Sequence, residues 1–238
     1  MRKFVSKLTF FILIGCIPLA ILSLGYVIND PFKVIHQYDD YSNSKVILNR
    51  DYVSTQMFIK NNPKYKYNSF IFGSSRTIAY NPKEWTVHLP SGSNPFVFDA
   101  SGESIWGIAT KLAYLDSLNA PINNALIILC RDCSFSYREN PESHLSIHDP
   151  RVVGSGRILY QCTFLKAYFA PEFLLRYYTY LTTHKYSGWM KGYLENRQII
   201  YDTITNKLSI IDQEMQIQNN PKKILFRKGA VVLFSSIY

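Results

Sequence analysis

The stretch NSFIFGSSRT, Asn68 to Thr77, governs how the fold is read. A short apolar run, Ser69 to Phe72, passes into Gly73, two serines and Arg76, the pattern of a buried strand that ends by presenting hydroxyls. Two further runs of the same kind follow, PFVFD at Pro95 to Asp99 and ALIILC at Ala125 to Cys130. Between them Ile105, Ile108, Ala109, Leu112, Leu115 and Leu118 recur at helical spacing until Asn119 and Pro121 stop them. A strand, a helix and a strand in that order imply parallel strands joined by a right-handed crossover, hence an α/β domain.

Around this centre the remaining segments are read more coarsely. Asp51 to Lys60 suits a short helix with Val53, Met57 and Phe58 on one side, ended by Asn61, Asn62 and Pro63. Residues 132–156 read as loop, with two His and two Pro. Residues 158–183 are aromatic and leucine-rich and suit one or two helices about Pro171. Residues 199–217 fit either a hairpin about Asn206 or a helix.

The amino terminus has a different character. Leu8 to Ile28 is 21 residues without a charge, long enough as a helix to cross a bilayer. Arg2, Lys3 and Lys7 precede it and Asp30 follows it, which puts the amino terminus in the cytoplasm and the rest of the chain outside. A cleaved signal peptide would have a shorter apolar core. LIGC at Leu13 to Cys16 resembles a lipobox, but the residues after Cys16 stay apolar where small or polar ones are usual. The expected division is a signal anchor over 1–28, a polar connector over 29–50 and an extracytoplasmic domain over 51–238.

The formal charge of +9 invites a nucleic-acid reading, and its distribution argues against one. Three of the cations precede the apolar run, and Lys222, Lys223, Arg227 and Lys228 lie near the other end, so the long middle is close to neutral. A nucleic-acid surface needs a basic face on the folded domain.

Functional groups in an open parallel sheet gather at the carboxyl ends of strands, where Gly73 to Arg76 falls. There Ser75 stands near unpaired backbone N–H groups able to steady an oxyanion. Ser and Gly after a strand are also routine turn chemistry. A phosphate loop is excluded because its Lys-Ser or Lys-Thr is missing, and the G-x-S-x-G elbow because Thr77 stands where its second Gly would be.

IFGSSRT resembles the first block of the SGNH (GDSL-like) hydrolase superfamily, in which an apolar strand ends in Gly, then Asp or Ser, then a nucleophilic Ser. It is similar in particular to the membrane-anchored branch that works on bacterial envelope polysaccharide, including D-alanyl transfer and alginate acetylation proteins. FDASGESIWG resembles the second block, whose Gly, here Gly102, lends its N–H to the oxyanion hole. The resemblance implies a three-layer α/β/α fold of flavodoxin-like type and a serine esterase or O-acyltransferase. It implies no cofactor and no metal. The partners implied are the bilayer, an envelope polysaccharide and a membrane-bound acyl donor protein, with no nucleic acid.

Two departures weaken the match. The third block brings an Asn, whereas LCRDCSF offers Asp132, whose carboxylate would repel an oxyanion. The late Asp-x-x-His block that supplies the base is missing, and the last of the five His is His184. His148 stands in as a weak candidate base, set against a solvated loop histidine. The apolar tail NPKKILFRKGAVVLFSSIY suggests a sheet left unfinished at the carboxyl end, and with it a chain that binds or scaffolds rather than catalyses. Cys130 and Cys133 have redox-motif spacing, but a redox pair usually opens a helix, and here the first ends a strand. On sequence they carry neither a redox nor a zinc assignment, and Cys162 reads as a buried small hydrophobe.

Overall fold

The computed structural model describes residues 2–135, 143–219 and 230–235. Its centre is a four-stranded sheet in the order β2-β1-β3-β6, from β1 (Ser69–Gly73), β2 (Pro95–Asp99), β3 (Asn124–Cys130) and β6 (Ala230–Ser235). The first three are parallel, with Gly73 level with Asp99 on one side and with Ile128 on the other. The expected α/β class and parallel strands are thus present. The fourth strand departs from the expectation, because part of the apolar tail adds to β3 antiparallel, Cys130 against Ala230. The basic positions Lys222, Lys223, Arg227 and Lys228 lie outside the described residues.

The order β2-β1-β3 reverses direction after β2, so right-handed crossovers must place the two connecting helices on opposite faces. The packing agrees. The first crossover holds a 3-10 turn at Ser75–Ala79 and the short helix α3 (Pro82–Thr86), and it sets Tyr80 and Trp85 over Ile71, Val97, Leu126 and Ile128. The second crossover is α4 (Ile105–Ser117), capped by the Ser104 hydroxyl on the Gly107 N–H. It buries Ile108 and Leu115 in the larger core on the other face, with Phe70, Phe72, Phe96 and Phe98. Alternation along β1 and β2 thus sends phenylalanines one way and aliphatics the other.

The helix α2 (Arg50–Tyr65) lies on that larger face, with Val53, Met57 and Phe58 buried as the sequence spacing requires. It runs past Asn61 and Asn62, expected to end it, because Pro63 falls in its last turn, where few ladder bonds remain to lose. Lys66 closes it in a left-handed conformation, its N–H donating to the Asn62 carbonyl.

Residues 29–50, expected as a polar connector, are packed into the body. Phe32, Val34, Tyr41, Val46 and Leu48 are core residues. The turn that starts this segment is organised by the buried Asp30 carboxylate, which accepts the N–H groups of Val34, Ile35 and His36 and the Tyr38 hydroxyl. Four bonds to one carboxylate offset its burial.

After β3 come α5 (Pro150–Val153), α6 (Arg157–Tyr168) and α7 (Pro171–Thr183), the last two meeting about Pro171 as expected. Their aromatics Tyr160, Phe164, Tyr168, Phe173 and Tyr177 are core. Cys162 is exposed on α6, contrary to the reading of it as buried, because the inward positions of α6 are taken by Tyr160, Phe164 and Tyr168. The 199–217 segment resolves into both alternatives. A hairpin of β4 (Ile199–Tyr201) and β5 (Leu208–Ile210) turns through Asn206 in a left-handed conformation, and α8 (Ile211–Asn219) follows it. Val97 donates to the Thr205 carbonyl and Asn206 donates to the Val97 carbonyl, so the hairpin tip covers the free edge of β2.

The amino-terminal helix α1 (Arg2–Asn29) docks through its last turns, where the Tyr168 hydroxyl donates to the Leu22 carbonyl and Tyr26 packs on Tyr168. Among the described residues no helix is long and apolar enough to cross a membrane.

Candidate functional site

Gly73 ends β1 at φ +148, and a Cβ there would come within 2.6 Å of the Ile128 carbonyl oxygen. Only glycine lets β1 lie this close to β3 while the chain turns out of the sheet. Ser74 is buried by that turn, and Ser75, the first residue of the 3-10 turn, is exposed on the carboxyl rim. Gly102 leaves β2 at the same rim with φ +66, three residues after Asp99. The two residues singled out in the sequence therefore stand on adjacent strand ends. Neither the Ser75 nor the Gly102 N–H donates to a partner among the described residues.

Beside them opens a cleft of about 200 Å³. It is lined by Ser75 and Ser101, by the packed 41–50 segment, and by Glu195, Arg197 and the β4–β5 hairpin. Arg50 reaches in from the start of α2, bonded to Asp99 and Thr77, with its Nε buried and unpartnered. Arg197 is held by Glu195 through two hydrogen bonds, Nε at 2.9 Å and Nη2 at 2.6 Å. The cleft thus combines aliphatic walls with hydroxyls and a guanidinium edge, which suits a ligand with an apolar part and a carbonyl or anionic oxygen.

His148 does not join this arrangement. It is neither solvated nor hydrogen-bonded to Ser75. It is buried against Trp106 with Nδ1 3.5 Å from Asp51 Oδ1. Its neighbours form a closed ionic cluster. Lys111, fully buried on α4, places Nζ 2.8 Å from Asp51 and 2.6 Å from Glu103, while the Asp149 N–H donates to the second Asp51 oxygen. Burial by itself would raise the Asp51 carboxyl, but the Lys111 ammonium and His148 hold it well below the usual carboxylate range. Burial lowers the His148 imidazole, and the bond and charge of Asp51 more than reverse this, leaving it raised. Asp51, Glu103 and His148 bring ligand atoms within 4.8 Å of one another, but the Lys111 ammonium already stands beside both carboxylates as their cation. The cluster ties α2, α4 and the loop before α5 together. Sequence reasoning missed it because Asp51 and His148 lie far along the chain from Glu103 and Lys111 and from each other.

Two further histidines have partners of their own. His144 lies between Phe32 and Phe164, where burial brings its pKa down to about 4, and His36 bonds the Val27 carbonyl. No described hydrogen bond links Ser75 to any base.

Asp132 is exposed, its carboxylate 3.7 Å from the Arg76 guanidinium. Arg76 in turn donates from Nε to Cys130 Sγ at 2.9 Å. The loops after β1 and β3 are thereby joined at the point where the strand order reverses, the usual ligand crevice of open α/β sheets.

Comparison with known proteins finds no matching family model, no similar curated protein and no similar solved structure, so the chain is assigned to no family.

Proposed function

We propose that this chain is a membrane-tethered envelope protein whose rim serine handles acyl groups, as an esterase or O-acyltransferase on envelope polysaccharide. The observation that carries the reading is the placement of Ser75 and Gly102 on one rim, each with an unengaged N–H, beside a cleft lined by Ser75, Ser101 and Arg50. Ser75 Oγ attacks an acyl carbonyl, its proton passing to water, and the Ser75 and Gly102 N–H groups receive the oxyanion. Gly102 has nothing within 4 Å of where a Cβ would stand, which leaves room for that oxygen. A neutral hydroxyl without a bonded base is a weak nucleophile, so turnover by the isolated chain is slow.

The tether is α1. Ile14, Ile17, Leu19, Ile21, Leu24, Val27 and Ile28 are exposed around the helix. A helix of that kind needs a lipid or protein surround.

A second reading, a non-catalytic binding domain on the same scaffold, is favoured by His148 being locked to Asp51 rather than to Ser75. One experiment separates the two. The full chain in detergent is treated with a fluorophosphonate, beside Ser75→Ala. Labelling that disappears in the variant supports the acyl reading. Equal labelling of both proteins refutes Ser75 as nucleophile, and no labelling of either leaves the binding domain.

A further inference from the structure

The Cys130-Arg131-Asp132-Cys133 segment takes no part in the acyl proposal, yet it lies at the reversal point of the sheet. Cys130 is the last residue of β3. The chain then folds into a tight turn in which the N–H groups of Cys133 and Ser134 both donate to the Cys130 carbonyl, at 3.4 and 2.9 Å. Such a turn brings its first and fourth Cα atoms within about 7 Å, the separation a disulfide spans. The backbone is fixed further by the Ser134 hydroxyl, which accepts the Cys130 N–H at 2.7 Å. Both thiols are free, Cys130 buried and Cys133 partly exposed.

The electrostatics are also those of a reactive pair. The sequence offered no helix N-terminus to favour a thiolate at Cys130, but the fold supplies a cation from a different strand end. Arg76 Nε donates to the Cys130 sulfur, and Asp132 fixes the far side of the same guanidinium. Burial raises the Cys130 thiol, and the Asp132 backbone, Arg76 and Cys133 together bring it below its ordinary value. Cys133 moves the opposite way. Burial raises it, Ser74 acts in the other direction, and the hydrogen bond with Cys130 and that sulfur's charge add to the rise. Cys130 is therefore sheltered beside a guanidinium that favours its ionised form, and Cys133 is the more accessible sulfur.

We infer that Cys130 and Cys133 form a redox-active dithiol that closes to a disulfide by exchange with an external disulfide, freeing Arg76 from its sulfur partner. Exposure assigns the order. Cys133, as its thiolate, attacks one sulfur of the external disulfide, forming a mixed disulfide and expelling one thiolate, which takes up the proton Cys133 released. The Cys130 thiolate then attacks the Cys133 sulfur, forming the internal bond and expelling the second thiol, protonated from solvent. Two electrons pass to the external disulfide, and this protein's dithiol is oxidised. Closure removes the negative sulfur facing Arg76 and leaves Asp132 as the partner of that guanidinium.

The test reads the sulfurs directly and does not depend on what Ser75 does. Full-length protein in detergent is equilibrated with mixtures of reduced and oxidised glutathione, quenched by alkylation and mapped by mass spectrometry. A parallel set uses an oxidised protein dithiol as the only oxidant. The expected result is a reversible Cys130–Cys133 bond. Cys130→Ser traps a glutathione adduct at Cys133, Cys133→Ser accumulates at least tenfold less adduct, and Arg76→Gln moves the pH midpoint for alkylation of Cys130 upward. Bond formation with glutathione alone identifies a small disulfide as the oxidant, and formation with the protein dithiol identifies a protein disulfide. The inference is overturned if the folded protein forms no Cys130–Cys133 bond at any ratio, if Cys16 or Cys162 is the bonded partner, or if Arg76→Gln leaves the alkylation profile of Cys130 unmoved.

Discussion

Replacing Lys111 by methionine tests the ionic cluster, because it removes one ammonium from between two buried carboxylates while keeping most of the side-chain volume. Lys111 Nζ is fully buried, 2.8 Å from Asp51 and 2.6 Å from Glu103. Breaking a buried pair by deleting one partner costs about 3–5 kcal/mol, since the other charge is left without compensation. His148 remains to face Asp51, so the charge left without its partner is Glu103. The variant should therefore lose about 4 kcal/mol at pH 7. In urea unfolding, with a slope of about 2 kcal/mol/M, the midpoint falls by ~2 M. A loss below about 1 kcal/mol at pH 7 would refute the claim that Lys111 is the internal cation of this site.

His144, held neutral between two phenylalanines at a pKa of about 4, takes up a proton less readily than in the unfolded chain, where its value is about 6.5. Its contribution is fully present above pH 6.5 and is lost as the pH falls toward 4, about 3 kcal/mol in all. His144→Phe should flatten the stability profile across that window in denaturant titrations, and an unchanged profile would contradict the assignment. Gly73→Ala should lower the melting temperature by roughly 5–10 °C, because its Cβ meets the Ile128 carbonyl. Gly102→Ala, left-handed but unobstructed, should cost only about 1 kcal/mol, and similar losses for the two would show that the β1–β3 approach is not what requires Gly73.

The class of the fold was legible because it rests on local pattern. The runs at Ser69, Pro95 and Ala125 are each short, apolar and bounded by turn residues, and the 105–118 spacing could only be a crossover helix once strands flanked it. The position of Ser75 followed from the same logic, since a residue just past a strand end must lie on a rim. Less was legible where the partner comes from afar. Residues 29–50 look polar in composition, and only the fold shows that Phe32 packs on Phe164 and Phe173, that Tyr41 and Leu48 are core, and that Val46 meets Leu194 where the stretch lines the cleft. His148 had the look of a loop residue because Asp51, its partner, lies far back along the chain.

By itself the chain determined the secondary structure of the early half, the parallel sense of its strands and the placing of a serine and a glycine at neighbouring strand ends. These depend on periodicity and on turn residues, which act over a few positions. The tertiary structure alone decided which charges meet: Lys111 with Asp51 and Glu103, Arg50 with Asp99, and Arg76 with Cys130. Ion pairs fall off over a few ångströms and ignore distance along the chain, so no spacing in the sequence announces them.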